Sequence, residues 1–190
     1  MTTIVWFRQD LRLADNEALA AAAAQGVVLP VYIDDAACLQ TCRSGWPPGA
    51  ASRWWLHHAL MDLRQRLREK GAELIIRRAN PDGSVLTVLQ ELIGETGAGA
   101  VCWNRCYEPE AIARDTAIKK ALMQSGIEVR SCGGTLLREP WEVATQSGNP
   151  YKVFTPFYKA CLALGEPPEP VEEPGVLCMY QPDSGQNALP

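Results

Sequence analysis

The chain has 190 residues, 47% hydrophobic and 21% charged. Those proportions exclude a disordered chain and suit one domain with a full core, or one domain plus a tail. The formal charge of −4 excludes the basic surplus with which a domain grips nucleic acid unaided.

The first apolar run, Ile4–Phe7, is rich in β-formers and reads as a buried strand. Asp15–Ala24 reads as an alanine-rich helix, with Asp15 as its N-cap and Gly26 as its stop. Val27–Ile33 is a second buried strand. From Gly49 to Lys70, Leu56, Leu60, Leu63 and Leu67 fall on one stripe, with Arg64, Arg68 and Glu69 off it and Gly71 ending the helix. Glu73–Ile76 reads as strand, Ser84–Leu92 as helix, Ala100–Asn104 as strand, Glu110–Met123 as helix and Ile127–Ser131 as the last strand. Five strands alternating with four helices predict an α/β fold. The expected form is a doubly wound, five-stranded parallel sheet of Rossmann-like order 3-2-1-4-5, with helices on both faces.

After Cys132 the alternation stops. Gly133–Pro150 reads as loop and Thr155–Leu164 as a short helix. Gly165–Gly175 is Gly, Pro and Glu apart from Val171, which predicts a linker. The expected domain therefore spans residues 1–164, with 165–190 as linker and tail. Val176–Pro190 is too short for a second domain, so the chain reads as a truncated or naturally short piece.

Seven cysteines are present: Cys38, Cys42, Cys102, Cys106, Cys132, Cys161 and Cys178. The count is odd, and Met1 leads directly into the first strand. Both features predict reduced thiols in a cytoplasmic protein. The two C-x3-C pairs lack zinc-ribbon spacing, and only His57 and His58 could add imidazole, so no metal is expected. No apolar run is long enough to cross a membrane.

In an open parallel sheet, ligands bind beyond the carboxyl ends of the strands, where the strand order reverses. Arg8, Gln9, Asp10 and Arg12 follow the first strand there, and Asp34 and Asp35 follow the second. Arg77, Arg78 and Asn80 follow the third. Asn104, Arg105, Cys106, Tyr107 and Glu108 stand at the end of the fourth. Such an edge suits a polar heterocycle, with arginines for carbonyl or anionic groups and carboxylates for ring N–H donors. The opposing reading makes Arg8, Asp10, Arg12 and Asp15 a structural pairing and capping network. No G-x-G-x-x-G, P-loop or G-x-S-x-G motif is present, and two adjacent histidines on one helix do not make a triad base. Binding is therefore expected rather than catalysis.

Four ordered stretches carry a resemblance. Ile4–Asn16 contains W-F-R-Q-D-L-R-L-A-D-N. Gly49–Leu56 reads GAASRWWL, Asn104–Asp115 reads NRCYEPEAIARD, and Tyr151–Phe157 reads YKVFTPF. Together they closely resemble the photolyase/cryptochrome family over about residues 2–170. The resemblance implies the N-terminal α/β domain of a bacterial-type photolyase, whose full-length protein repairs pyrimidine dimers in DNA with light. It implies a light-harvesting antenna in this domain, either 8-hydroxy-deazaflavin or methenyltetrahydrofolate. FAD, most DNA contacts and the tryptophan electron chain would belong to a C-terminal flavin domain. Trp6, Trp46, Trp54, Trp55, Trp103 and Trp141 are accordingly expected to serve core packing.

By the same resemblance, Asp34, Asp35, Arg53 and Glu108 stand where deazaflavin-binding members hold their ring. Cys106 departs from the acid found there, and Ala111, beside Glu110, departs from the folate-binding carboxylate. The implied cofactor-binding set is Arg8, Asp10, Asp34, Asp35, Arg53, Arg105, Cys106 and Glu108. At the start of its helix, Arg53 could fork onto a ring carbonyl or phosphate, or pair with Asp34 or Asp35. Two alternatives stay open: a cryptochrome-type signalling module, and a free-standing nucleotide-binding α/β protein.

Overall fold

The computed structural model describes residues 1–35, 49–79 and 84–180. Cys38, Cys42, Trp46, Asn80 and the tail beyond residue 180 lie outside the described residues. β1 (Thr2–Phe7) is followed by α1 (Glu17–Gln25), β2 (Val27–Asp34) and α2 (Ala50–Glu69). Then come β3 (Ile75–Arg78), α3 (Val85–Thr96), β4 (Ala100–Asn104), α4 (Pro109–Gln124) and β5 (Glu128–Cys132). α5 (Phe154–Ala163) and a two-residue β6 (Cys178–Met179) complete the order. All pairings are parallel and the main path runs β3-β2-β1-β4-β5, as the alternation predicts.

β1 is buried on both faces because its residues are apolar without alternation. Ile4 and Trp6 pack with α3 and α4 through Leu89, Leu92, Ile118 and Leu122. Val5 and Phe7 pack with α1 and α2 through Leu19, Leu63 and Leu67. This places two helices on each face. β1 pairs with both β2 and β4, so the order reverses between β1 and β4. The carboxyl ends of those strands are the place where such a sheet opens a crevice.

Several local expectations shift. α1 is capped by Asn16, whose Oδ1 accepts from the Leu19 N–H at 3.0 Å, and not by Asp15. Asp15 lies in the left-handed region with φ 51°, a conformation that short polar side chains tolerate. Its N–H donates to the Val171 carbonyl at 2.9 Å. β3 starts two residues later than predicted, because Arg64 and Arg68 hold the Glu73 carboxylate outside the strand. β6 was not expected. It pairs with Val27 and Val28 at the start of β2, and Leu177 just before it is buried. The expected linker and tail are thus fastened at the start of α1 through Val171 and Asp15, and near the sheet's amino end through Glu173 and Leu177. No helix among the described residues is long and apolar enough to cross a membrane.

Candidate functional site

Beyond the carboxyl ends of β1, β2 and β4 lies a cleft of about 1230 Å³. The sheet supplies its floor through Trp6, Arg8, Tyr32 and Asp35. One wall is the face of α2 that carries Ser52, Trp55, Leu56 and Ala59, positions spaced to share a helix side. The opposite wall is α4, through Glu110, Ala111, Arg114 and Ile118, with Ser84–Leu86 of α3 closing the far end.

A ladder of alternating charge crosses this floor. Asp115 pairs with Arg8 at 2.5 Å and with Arg114 Nε at 3.2 Å. The same Arg114 reaches Asp35 at 2.8 Å. The Arg8 and Arg114 guanidiniums lie 4.7 Å and 5.1 Å from the Trp6 ring centroid, a cation–π arrangement. Arg8 also donates to the Asn104 carbonyl. Burial pushes the Asp35 carboxyl above its ordinary value against the pull of Arg114. Burial, then the Asp34 and Asp35 charges, push the Tyr32 phenol up to about 12.

Asn104 is the hub beneath the ladder. Its Oδ1 accepts from the Ala18 N–H at 3.0 Å, and its Nδ2 donates to Asp10 at 2.6 Å and Asn16 at 2.8 Å. Asp10 also accepts from the Arg8 N–H at 3.0 Å. These bonds join the start of α1 to the ends of β1 and β4. For Asp10, the capping network of the sequence reading is present, and its residue also lines the cleft.

The remaining predicted site residues divide. Cys106 and Glu108 line the cleft. Burial pushes the Cys106 thiol up, whereas Glu108 is held below the usual carboxylate range, first by its own backbone N–H, with Gln9 adding a bond at 3.3 Å. Arg105 instead lines a separate cavity of about 380 Å³. It is tied to Glu139 at 2.5 Å and to the Ser131 carbonyl, and lies over Trp141. Asp34 pairs with Arg78 at 3.2 Å and does not line the cleft. Arg53 is exposed on α2, off the lining face, and makes no ion pair among the described residues.

The packing role expected for the tryptophans holds for Trp6 and Trp103, which meet edge to face at 5.7 Å. It fails for Trp54, Trp55 and Trp141, which are 62%, 71% and 65% exposed. The first half of α2 projects past the core, and Trp55 meets the cleft instead. Sequence reasoning missed Trp55, Tyr32, Arg114 and Asp115 as site residues. The i, i+3, i+4, i+7 spacing of residues 52, 55, 56 and 59 is the signal that could have found the α2 wall.

Two buried donors at the cleft, Trp6 Nε1 and Arg8 Nε, have no partner among the described residues. Trp103 Nε1 and Glu139 Oε2, away from the cleft lining, are unpartnered too, but only the Trp6 and Arg8 donors belong to residues that a molecule in the cleft would meet. Comparison with known proteins decides the family. The model described as DNA photolyase matches residues 3–175.

The chain belongs to the DNA photolyase family. It is 45% identical over 172 residues to a deoxyribodipyrimidine photo-lyase of Agrobacterium fabrum, covering 90% of this chain and 34% of that protein. A bacterial class III photolyase structure from Agrobacterium tumefaciens aligns with TM-score 0.81 and 44% identity, over 94% of this chain and 35% of that one. An archaeal photolyase from Sulfolobus tokodaii, solved with two FAD molecules and described as implying a novel light-harvesting cofactor, aligns with TM-score 0.71 and 28% identity. That match covers 93% of this chain and 38% of the archaeal one. The chain thus spans about a third of the length of these photolyase relatives.

Proposed function

We propose that this chain is the light-harvesting, chromophore-binding α/β domain of a DNA photolyase, and that its ligand is an antenna ring system held in the cleft between α2 and α4. The observation that carries the reading is the cleft itself. It lies at the switch point and is walled by Trp55 and Leu56. Its floor is an ion ladder above Trp6, with unpartnered donors on Trp6 and Arg8. The relative with a light-harvesting cofactor supports it.

The antenna supplies absorption of blue light when bound, as 8-hydroxy-deazaflavin or methenyltetrahydrofolate. The chain's part is to position it and keep it dry. Trp6, Trp55 and Tyr32 offer ring faces, Arg8 and Arg114 offer N–H donors, and Asp35 offers an acceptor for a ring N–H. Asp10, Cys106 and Glu108 complete the rim between the two cavities, where Arg105 lines the smaller one. Asp34 and Arg53 would contribute from outside the lining, as charges near the mouth. FAD, damaged DNA and the repair step belong, in this reading, to a C-terminal flavin domain and the full-length, cytoplasmic photolyase.

Fluorescence titration of the purified chain with 8-hydroxy-deazaflavin, and separately with methenyltetrahydrofolate, tests the proposal. Saturable one-to-one binding of either at micromolar or lower concentration supports it and names the chromophore. Binding of neither overturns it for this chain.

A further inference from the structure

We infer that Glu173 and Leu177, on the segment fastened along the sheet's amino end, are positioning residues for the cleft and act on it through α2. The inference rests on the proposed chromophore site for its ligand consequence, but not for its mechanics. α2 has 20 residues, and only Leu63 and Leu67, in its second half, are buried. Leu177, 4% exposed, belongs to the same apolar cluster as those two leucines. Its N–H donates to the Lys70 carbonyl at 2.8 Å, just past the end of the helix. Glu173 reaches Arg66 at 3.1 Å and Lys70 at 3.0 Å. The anchored end of α2 is therefore gripped from two sides, by the sheet and by this strap.

Among the described residues the other end has no such grip. Gly49 offers no side-chain cap, and Trp54 and Trp55 are exposed. Yet Ser52, Trp55, Leu56 and Ala59 of this free half form a wall of the cleft. Ser52 stands 11 positions before Leu63, which at 1.5 Å per residue is a lever of about 16 Å. A rotation of about 10° at the anchor moves the tip by about 3 Å, enough to open or close contact with a planar ligand. Among the described residues the strap meets the sheet at the start of β2, the end away from the cleft, and makes no bond to α4 or to Trp6, Arg8, Tyr32 or Asp35 of the floor. Linkage makes the effect reciprocal, so a ligand clamped against Trp55 tightens the strap in turn.

Hydrogen–deuterium exchange on the whole chain, with and without each chromophore, tests this. Leu177→Ala should speed exchange of the amides at 50–60 by about fivefold or more, with β4 and α4 unchanged. Chromophore dissociation constants should rise in step. Glu173→Lys, at a half-buried position on the strap, should give a smaller shift of about threefold in both readouts. Adding Arg66→Glu and Lys70→Glu should restore the wild-type values. Uniform acceleration across β4 and α4 would reduce Leu177 to a merely structural residue, and unchanged exchange at 50–60 in both variants would sink the inference. If the unmodified chain binds neither chromophore, the proposed function fails, while the exchange comparison still decides the coupling.

Discussion

The two ends of the sheet are closed by different means. At the amino end the main chain does most of the work, with the exposed or half-buried ion pairs of Glu73 and Glu173 beside it. Val27 N–H donates to the Met1 carbonyl, Gly99 N–H to Thr2, and Leu177 N–H to Lys70. Gly26 sits at φ 134° with its α-carbon hard against Met1, where a Cβ would lie 3.2 Å from the Met1 oxygen. At the carboxyl end, side chains close the structure: Asn104, Asp10, Arg8, Asp115, Arg114 and Asp35 bond one another across the floor of an open cleft. Backbone closure tolerates many sequences but recognises nothing. Side-chain closure demands particular residues, leaves donors over, and can hold a ligand.

Substitutions at the carboxyl end should accordingly cost most where charge is buried. Asp115→Ala removes the counter-charge of Arg8, whose side chain is 7% exposed. Breaking such a pair should cost about 3 kcal/mol in urea unfolding and weaken chromophore binding as well. Asn104→Ala strands the Ala18 N–H, Asn16 and Asp10 together. Its expected cost is about 2 kcal/mol, and amide exchange should rise first at the start of α1. Ser84→Ala removes the cap whose Oγ accepts from Thr87 N–H at 3.2 Å. That loss should be about 1 kcal/mol, with a smaller loss of ligand affinity than Asp115→Ala gives, since Ser84 lines only the far end of the cleft. If Asp115→Ala proved as mild as Ser84→Ala, the buried charge of the floor would carry no more stability than an exposed helix cap at the same end of the sheet.

Most of the fold was legible because every strand of the main sheet is a short apolar or β-rich run flanked by a helix with its own start and stop signals. The strand order and the location of the cleft followed from that alternation. The strap was not legible. Its anchoring is one glutamate inside the Pro- and Glu-rich stretch whose composition reads as a linker, then one leucine and a two-residue strand in the short tail that follows. The site was half legible. Arg8, Asp10, Asp35, Cys106 and Glu108 follow strands and do line the cleft. Arg114 and Asp115 sit a turn and a half into α4, and Trp55 on a helix wall. Only tertiary packing brings these helix positions over the strand ends.

Asp35 gives the subtlest test, because it should separate recognition from stability. Burial raises its pKa from the ordinary 3.8 despite Arg114. A carboxyl with a raised folded-state pKa binds its proton more tightly folded than unfolded. Stability therefore falls as pH rises through the window that starts near 3.8, and the cost is fully present above the folded-state pKa. Asp35→Asn removes that charge, so it should raise the melting temperature slightly at pH 7. The gain should vanish below the ordinary carboxylate range, where the wild-type group is protonated in both states. The same substitution should weaken chromophore binding if Asp35 accepts a ring N–H. A variant that loses stability at pH 7 would instead mean that the Asp35–Arg114 pair holds the floor together, and would move this residue from the recognising end of the comparison to the structural one.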